Sequence, residues 1–372
     1  MDKISAEDLN KAGAGELESV SGSTVDQKSE SKVRSAVKKT TIGGQALIEG
    51  VMMVGPKRTC MAVRKGDGTI QVDEIKQSEH VSFFETVPFI RGCIRFYKML
   101  VTGTGALMKS ADISEEGRPE EEKNSGKSDA RTDDTNGEAS NSKSGSRLDD
   151  FLSRHYNLVI TLSAVLGILL SVGLFILLPR LIVDLGAKFI PDRYMERTWM
   201  AVALNIVEGI LRMLFFLIYL INASKLPDVK RVWRYHGAEH KTIACYEAGE
   251  SLTVENVLKY PRFHPRCGTA FMFIVLALSI VIYTIIGVFT GTSSMLVNLL
   301  VRLIGIPFIC GISFEFLRFI GRHDKNPFIR ALAAPGLWLQ RFTTAEPDGP
   351  IVEVAIASMQ AVIPENAEDD IW

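Results

Sequence analysis

The chain has 372 residues, with 42 Lys or Arg against 43 Asp or Glu, and a formal net charge of -1. This balance argues against a nucleic-acid-binding protein, which would carry a basic patch or stripe. Hydrophobic residues make up 47% of the chain, an ordinary value for a soluble protein. They are concentrated in the second half, however, so the average conceals strongly apolar segments.

Two segments are too polar to form a packed core. Residues 1–38 are rich in Ser, Lys, Glu and Gly, and residues 112–148 form an acidic and polar linker. Such segments bury too little apolar surface to offset the entropy lost on ordering. We therefore predict that both are disordered and that they delimit a small ordered unit of residues 39–111.

Within this unit, Thr59–Arg64 and Thr69–Ile75 alternate apolar and polar residues around a Gly-Asp-Gly turn, which predicts a β-hairpin. Residues Pro88–Met108 then carry apolar side chains at helical spacing, interleaved with basic residues. A helix of this kind either packs on the hairpin or lies in the membrane interface. We favour the interface because membrane segments follow.

The membrane domain is predicted to occupy residues 149–343. A bilayer core needs about 20 apolar residues of helix, and four stretches satisfy this requirement. The first two are Tyr156–Pro179 and Thr198–Ser224. The third begins at Gly268, and a polar break at Thr290–Ser294 separates it from the fourth, which spans Met295–Phe316.

Lys and Arg are distributed unevenly between the loops. The loop of residues 225–267 contains eight of them, and the turn between the third and fourth helices contains none. The loop between the first two helices has four: Arg180, Lys188, Arg193 and Arg197. Because cytoplasmic loops carry the excess of Lys and Arg, we predict a multi-pass cell-membrane protein with both termini in the cytoplasm.

The expected fold class is therefore mainly α, a polytopic membrane protein with four transmembrane helices and a small cytoplasmic N-terminal unit containing a β-hairpin. Residues 344–372 are predicted to be a cytoplasmic tail. Within it, Ile351–Ala361 places Val352, Ile356 and Met359 at helical spacing, which predicts an amphipathic helix docked on the cytoplasmic face.

The loop 225–267 holds the residues that suggest chemistry. On a helix, His236 and His240 share one face, and with Glu239 they form the H-x-x-E-H pattern of inverted zincins. Both imidazoles could bind a divalent metal, with zinc as the expected ion, and Glu239 would act as general base towards water. His264 and Cys267 are the candidates to complete the site. If both join, the site is closed and structural; if one joins, a position stays open for catalysis.

The cysteines and the isolated charges are less specific. Five cysteines at wide spacing do not resemble a disulfide framework, so they are expected to be reduced thiols. Glu49 is a lone charge in a glycine-rich segment, either a ligand or acid/base partner of the central loop or a partly exposed residue of a turn leading into the hairpin. Within the predicted spans, Glu208 and Arg212 are spaced to pair with each other, and Arg302 has no local partner.

Four stretches, GGQALIEGVMM, YHGAEHK, HPRCGTAF and APGLWLQRFTT, together resemble the YqhQ-like family, a bacterial membrane domain of unknown function. The resemblance covers roughly residues 41–361 apart from the linker. It implies a metal-dependent membrane protein, without supplying a reaction or a substrate. It also implies a role for Glu49, which lies in what looks like the family's N-terminal signature.

The leading hypothesis is a metal-dependent, hydrolase-like enzyme that acts at the cytoplasmic membrane surface on a lipid, lipid-linked or membrane-peptide substrate. Arg266 would stabilise an anionic transition state. A non-enzymatic scaffold or assembly factor, with a structural metal or none, is the main alternative. A transporter that uses the charges within the spans ranks third and would require a homo-oligomer. Protein partners cannot be predicted from the sequence.

Overall fold

The computed structural model describes residues 39–76, 87–117, 156–195, 198–290, 295–323 and 326–370. The strands are β1 (Gly43–Leu47), β2 (Gly50–Val54), β3 (Thr59–Arg64) and β4 (Ile70–Ile75). The helices are α1 (Ile90–Glu115), α2 (Tyr156–Val172), α3 (Leu178–Ala187), α4 (Asp192–Met195), α5 (Thr198–Ala223), α6 (Pro227–Glu247), α7 (Val254–Leu258), α8 (Gly268–Thr290), α9 (Met295–Arg322), α10 (Pro327–Thr343) and α11 (Gly349–Gln360). The predicted disordered tail of residues 1–38 and most of the predicted linker lie outside the described residues.

The four strands form one antiparallel sheet in the order β1-β2-β3-β4. The predicted hairpin is confirmed as β3 and β4, with Thr59 opposite Ile75. A second hairpin, β1 and β2, precedes it and was not predicted, because its segment combines several glycines with apolar residues that do not alternate. Its turn places Glu49 at a positive φ of 51°, which is uncommon for a residue other than glycine.

Both faces of the sheet are covered. Val51 and Met53 of β2 face a core that also contains side chains of α6, α7 and α11. Met52 of β2 and Met61 of β3 lie on the other face, in a cluster that includes Ala106 of α1. Because alternate residues of a strand point to opposite faces, a strand covered on both sides is apolar throughout, and this explains the missing alternation in β2.

Helix α11 belongs to the interior of the molecule. Seven of its residues are buried: Ile351, Val352, Val354, Ala355, Ile356, Ser358 and Met359. They lie in one core with residues of the sheet and of α6. The predicted helix in this segment is confirmed, but it is nearly enclosed, where the sequence predicted an amphipathic helix docked by one face.

Helix α1 begins close to the predicted position and extends seven residues beyond Met108. Its second half packs on the sheet through Ala106 and Ile113. Its first half contacts α9, where the Arg91 guanidinium donates two hydrogen bonds of 2.5 Å to the Glu315 carboxylate. Protein packing therefore holds this helix, although it also exposes a row of apolar side chains, among them Tyr97, Leu100 and Met108.

Four helical segments are long and apolar enough to cross a membrane: Thr161–Ala187, Thr198–Ala223, Gly268–Val288 and Leu299–Arg322. The chain is thus a membrane protein with four membrane-spanning helices, as predicted. The first span continues from α2 through a π-helical turn at Gly173–Leu177 into α3. It therefore includes Arg180, which the sequence analysis counted in the following loop.

The chain divides into two compact units. Among the described residues, one unit contains the sheet, α1, α6, α7, α10 and α11. The other contains α2, α3 and most of α5.

The second unit holds the charges that the sequence places within the spans. Glu208 is buried, and its carboxylate accepts hydrogen bonds from Arg212 at 2.8 Å and from Arg302 at 2.7 Å. Arg180 lies 3.6 Å away. Arg212 also donates to the carbonyl of Phe175, within the π-helical turn. Arg302 thus has a partner 94 positions away in sequence, and all three predicted intramembrane charges belong to one network.

Candidate metal centre

Helix α6 carries the two histidines of the H-x-x-E-H motif. It begins with Pro227 at its first turn, and its central part from Tyr235 to Ile243 is buried. His236 and His240 lie one turn apart, with their ring centroids 4.4 Å from each other. The structure therefore places both imidazoles on one face of the helix, as predicted.

Hydrogen bonds to the backbone determine which ring nitrogen of each histidine is free. Nδ1 of His236 lies 2.7 Å from the carbonyl oxygen of Thr343, and Nδ1 of His240 lies 2.6 Å from that of Arg262. A carbonyl oxygen can only accept, so each Nδ1 must carry the proton. Nε2 of each ring then keeps its lone pair, as in metal-binding histidines whose other nitrogen donates to a carbonyl.

Cys267 completes a group of three potential metal ligands. Its Sγ lies 3.2 Å from Nε2 of His236. The ligand atoms of His236, His240 and Cys267 all lie within 4.8 Å of one another, and all three residues are buried. We call these three residues the metal trio. Nε2 of His240 is buried and has no hydrogen-bond partner among the described residues. The trio therefore fits a metal ion in two respects: its donor atoms are nitrogen and sulfur, and the Nε2 lone pair of His240 is available for coordination.

Burial also favours the neutral form of His240. It lowers the pKa of His240, mainly because desolvation disfavours the charged imidazolium. The neutral imidazole is the form that coordinates metal ions.

The fourth predicted ligand points elsewhere. His264 is buried, but its Nε2 lies 3.7 Å from the Glu247 carboxylate and 3.5 Å from the Arg266 guanidinium. It is not a member of the trio. The structure thus brings together three of the four predicted ligands and leaves His264 outside this group.

Glu239 is the carboxylate of the motif and is 5% exposed. Burial raises its pKa to about 7, although His236 and a hydrogen bond from the Gly44 backbone lower it in part. Oε2 of Glu239 is buried without a hydrogen-bond partner in the described part of the chain. A carboxyl group with a pKa near neutrality can accept and release a proton at physiological pH, as general-base catalysis requires.

Gly44 of β1 lets the sheet approach Glu239. A Cβ atom at this position would lie 2.9 Å from both Cγ and Cδ of Glu239 and 2.8 Å from the carbonyl oxygen of Met52. Either the strand or the carboxylate would have to move. The neighbouring Gly43 has nothing within 4 Å of such an atom.

We therefore expect Gly44→Ala to lower the free energy of unfolding by about 1–3 kcal/mol, the usual cost of overpacking a buried site. Gly43→Ala is the matched control and should change it by less than about 0.5 kcal/mol, as do most surface substitutions. Thermal unfolding of both variants in one detergent measures the difference. Equal melting curves for the two variants would show that β1 does not constrain Glu239.

Glu49 contacts α6 without entering the trio. Its carboxylate forms an ion pair with Arg231 and accepts a hydrogen bond of 3.1 Å from the Tyr235 hydroxyl. Tyr235 directly precedes His236 in sequence. Glu49 thus contacts the central segment through Arg231 and Tyr235, and these contacts are those of a residue that positions α6; its predicted role as a ligand or acid/base partner stays a prediction.

Arg266 is engaged in a separate network. Its guanidinium forms an ion pair with Glu247 and donates a hydrogen bond of 2.9 Å to the carbonyl of Thr40. Thr40 in turn donates to Asp370 at 2.6 Å. These contacts fix the two ends of the described chain beside α6, and they do not place Arg266 against the trio, where the sequence hypothesis had assigned it.

Helix α10 supplies contacts that the sequence analysis missed. Its Gln340 is fully buried. The Oε1 atom of Gln340 accepts a hydrogen bond of 2.8 Å from the His264 backbone N–H, and its Nε2 atom donates one of 2.7 Å to the His264 carbonyl oxygen. Thr343, in its last turn, provides the carbonyl that holds His236. The only sequence signal was the APGLWLQRFTT stretch, whose Pro335 and Gly336 argue against a helix. A sequence does not show which backbone carbonyl will accept a hydrogen bond from a given side chain.

Comparison with known proteins gives a consistent assignment. The family model described as "Protein of unknown function (DUF1385)" matches residues 87–365. The "Uncharacterized protein YqhQ" of Bacillus subtilis (strain 168) is 31% identical over 328 residues, which cover 86% of this chain and 92% of that protein. No solved structure gives a significant match. The matched region contains the trio, Glu239, His264 and Arg266.

Proposed function

The chain belongs to the DUF1385 family, and from the geometry of its buried site we propose that it is a metal-dependent membrane enzyme of the hydrolase class. The observation that carries the proposal is the convergence of three donor atoms, Nε2 of His236, Nε2 of His240 and Sγ of Cys267. Both imidazoles are held for this purpose by carbonyl groups at their Nδ1 atoms.

Zinc is the metal that this donor set favours. Two imidazoles and one thiolate combine the nitrogen and sulfur ligands that zinc commonly takes in proteins. Catalytic zinc sites use three protein ligands and keep one position for water or substrate, whereas structural sites use four. A zinc ion bound by the trio would supply a Lewis acid that polarises a carbonyl or phosphoryl oxygen.

Glu239 would serve as the general base. It lies between the two histidines in sequence, and its raised pKa and unpartnered Oε2 suit a group that takes a proton and later returns it. The hydrogen bond from Gly44 to Glu239 would orient the carboxylate. Glu247 and Arg266 would maintain the loop that carries Cys267.

The position of the trio in the chain supports a membrane substrate. Cys267 directly precedes the span Gly268–Val288, and α6 begins four residues after the span Thr198–Ala223 ends. A site between two span ends suits a lipid, a lipid-linked compound or a membrane peptide. With the eight Lys and Arg of residues 225–267, this site would face the cytoplasm, as would both termini.

The second candidate function is a membrane scaffold stabilised by a structural metal. Burial of all three trio residues favours it, because a structural metal needs no access to substrate. This candidate predicts that the metal contributes to stability alone and that Glu239 can be replaced without consequence for function.

A hydrolysis assay distinguishes the two candidates. Detergent-purified protein would be stripped with a chelator, reloaded with zinc and incubated with a panel of phospholipids, lipid-linked phosphates and membrane peptides. We expect hydrolysis of at least one class, dependent on zinc and reduced about 100-fold or more by Glu239→Gln, in line with the contribution of a general base. The Gln variant should bind zinc as wild type does. Zinc-loaded protein that hydrolyses nothing, or that ignores Glu239→Gln, would contradict the enzyme proposal.

A further inference from the structure

A basic cleft of about 430 Å³ lies next to the metal trio, in the same compact unit. Its volume is within the range of about 300–1,000 Å³ that is usual for small-molecule sites. The charged residues in its lining are all basic, and two aromatic residues accompany them: Lys225, Lys230, Arg262, Arg341, Trp233 and Phe342.

Most of this positive charge has no acidic partner in the described part of the chain. Lys230 and Arg341 are exposed and make no ion pair there, and Lys225 donates only to the neutral Asn222 side chain at 3.3 Å. Arg262 lies 3.8 Å from the carboxylate of Glu346, which forms a shorter ion pair of 2.9 Å with Lys241. The cleft therefore offers uncompensated cations to an anionic ligand.

Trp233 lines the cleft, and the Nε1 atom of its side chain is buried without a partner among the described residues. An indole N–H can only donate, and a buried donor without an acceptor is costly.

The walls of the cleft connect directly to the trio. The Trp233 ring lies 6.2 Å from the His236 ring, measured between centroids. Arg262 lines the cleft with its side chain and holds His240 through its carbonyl oxygen. Thr344, also in the lining, follows Thr343, whose carbonyl holds His236. A ligand in the cleft would thus lie beside the proposed metal.

Two features indicate that the ligand comes from the membrane. Residues 224 and 225 of the cleft directly follow the span Thr198–Ala223. Helix α10, which contributes Arg341, exposes the large apolar side chains Phe328, Leu332 and Trp338. Exposed aromatic and apolar residues next to basic ones are typical of helices in the membrane interface.

We infer that this cleft binds the phosphate-bearing headgroup of an anionic phospholipid and presents it to the metal trio. The presentation step depends on the proposed enzyme function, whereas headgroup binding by Lys230 and Arg341 does not. Lysine and arginine provide the charge-assisted hydrogen bonds that phosphate groups accept most strongly.

The test is a binding titration of detergent-purified protein with short-chain phosphatidylglycerol, short-chain phosphatidylcholine and glycerol 3-phosphate. The cleft variant is Lys230→Gln/Arg341→Gln. The matched control, Lys259→Gln/Arg330→Gln, removes one exposed lysine and one exposed arginine outside the cleft, the latter from the same helix α10.

We expect phosphatidylglycerol to bind at least about tenfold more tightly than phosphatidylcholine, and more weakly as salt is raised, because exposed charges are screened. The cleft variant should lose about tenfold in affinity or more, since two charge-assisted contacts disappear, while the control variant keeps its affinity. Equal binding of the two lipids, or equal loss in both variants, would overturn the inference. Glycerol 3-phosphate binding as tightly as the lipid would overturn the membrane source of the ligand.

Zinc content measured on the same samples separates this inference from the proposed function. The cleft variant should retain wild-type zinc, because neither substituted residue is a member of the trio. Wild-type protein that binds phosphatidylglycerol selectively but holds no zinc would contradict the enzyme proposal and leave the headgroup site intact. Zinc binding without selective lipid binding would overturn the headgroup site and leave the enzyme proposal intact.

Discussion

Replacing both His236 and His240 by alanine is expected to weaken zinc binding by at least about 100-fold, because changes to the outer-shell partners of metal ligands already cost about 10- to 100-fold. Cys267→Ser should weaken it as well, since a hydroxyl is a poorer zinc ligand than a thiolate. Zinc affinity is measured by competition with a chelator on detergent-purified protein.

His264→Gln is the informative companion to these variants. His264 is buried beside the trio, but its Nε2 faces Glu247 and Arg266. We expect this variant to bind zinc within about threefold of wild type, well below the 10- to 100-fold effect of disturbing a ligand or its direct support. Zinc affinity that falls as far as in the His236→Ala/His240→Ala variant would show a closed four-ligand site and would favour the scaffold.

Folding must be checked separately, because buried alanine variants can unfold. Melting temperatures of wild type and variants, all stripped with a chelator, provide that control. A variant that melts like stripped wild type yet fails to bind zinc has lost the site alone.

Glu208→Gln is expected to lower the free energy of unfolding by about 3–5 kcal/mol, the usual effect of removing one partner from a buried ion pair. The carboxylate of Glu208 is 1% exposed and contacts both Arg212 and Arg302. The neutral amide would leave these guanidinium groups facing each other without an anion, within helices where desolvation makes charge expensive.

Asp184→Asn is the matched control for this carboxylate. Asp184 pairs with Arg180 one turn away and is 43% exposed. Exposed pairs on one helix contribute about 0.3–0.5 kcal/mol, so this variant should melt close to wild type. Comparable destabilisation by both substitutions would contradict a packing role for Glu208. Normal stability of Glu208→Gln, combined with altered ion or solute flux in proteoliposomes, would revive the transporter hypothesis.

The sequence predicted the elements whose periodicity or length is unambiguous. All four spans were located, whereas the predicted break at Thr290–Ser294 lies almost entirely outside the described residues. The β3–β4 hairpin was also predicted, because its outer strand β4 faces solvent with alternate residues. Hairpin β1–β2 was missed because β2 is buried on both faces, so its residues do not alternate in polarity.

The limits of prediction at the site have a simple physical origin. Helical spacing predicts that His236 and His240 lie on one face of a helix, and the structure places them so. Spacing places His264 and Cys267 near each other, but the direction of each side chain depends on contacts far away in sequence. Gln340 holds the His264 backbone in the orientation that turns its ring towards Glu247. Such tertiary contacts carry no periodic signal.

Arg266 illustrates the same limit for charged residues. A basic residue next to candidate metal ligands suggested stabilisation of an anion, and the structure pairs it with Glu247 instead. The uncompensated cations lie in the adjacent cleft, at Lys230 and Arg341. They are 111 positions apart in sequence, so their proximity depends on the packing of α10 beside α6.

X-ray absorption at the zinc edge of reloaded, detergent-purified protein tests the metal trio most directly. We expect stoichiometric zinc with a single sulfur ligand beside nitrogen or oxygen ligands, and loss of the sulfur contribution in Cys267→Ser. A zinc environment without sulfur in wild type, or well-folded protein that binds no zinc, would contradict the trio as the centre of this protein's function.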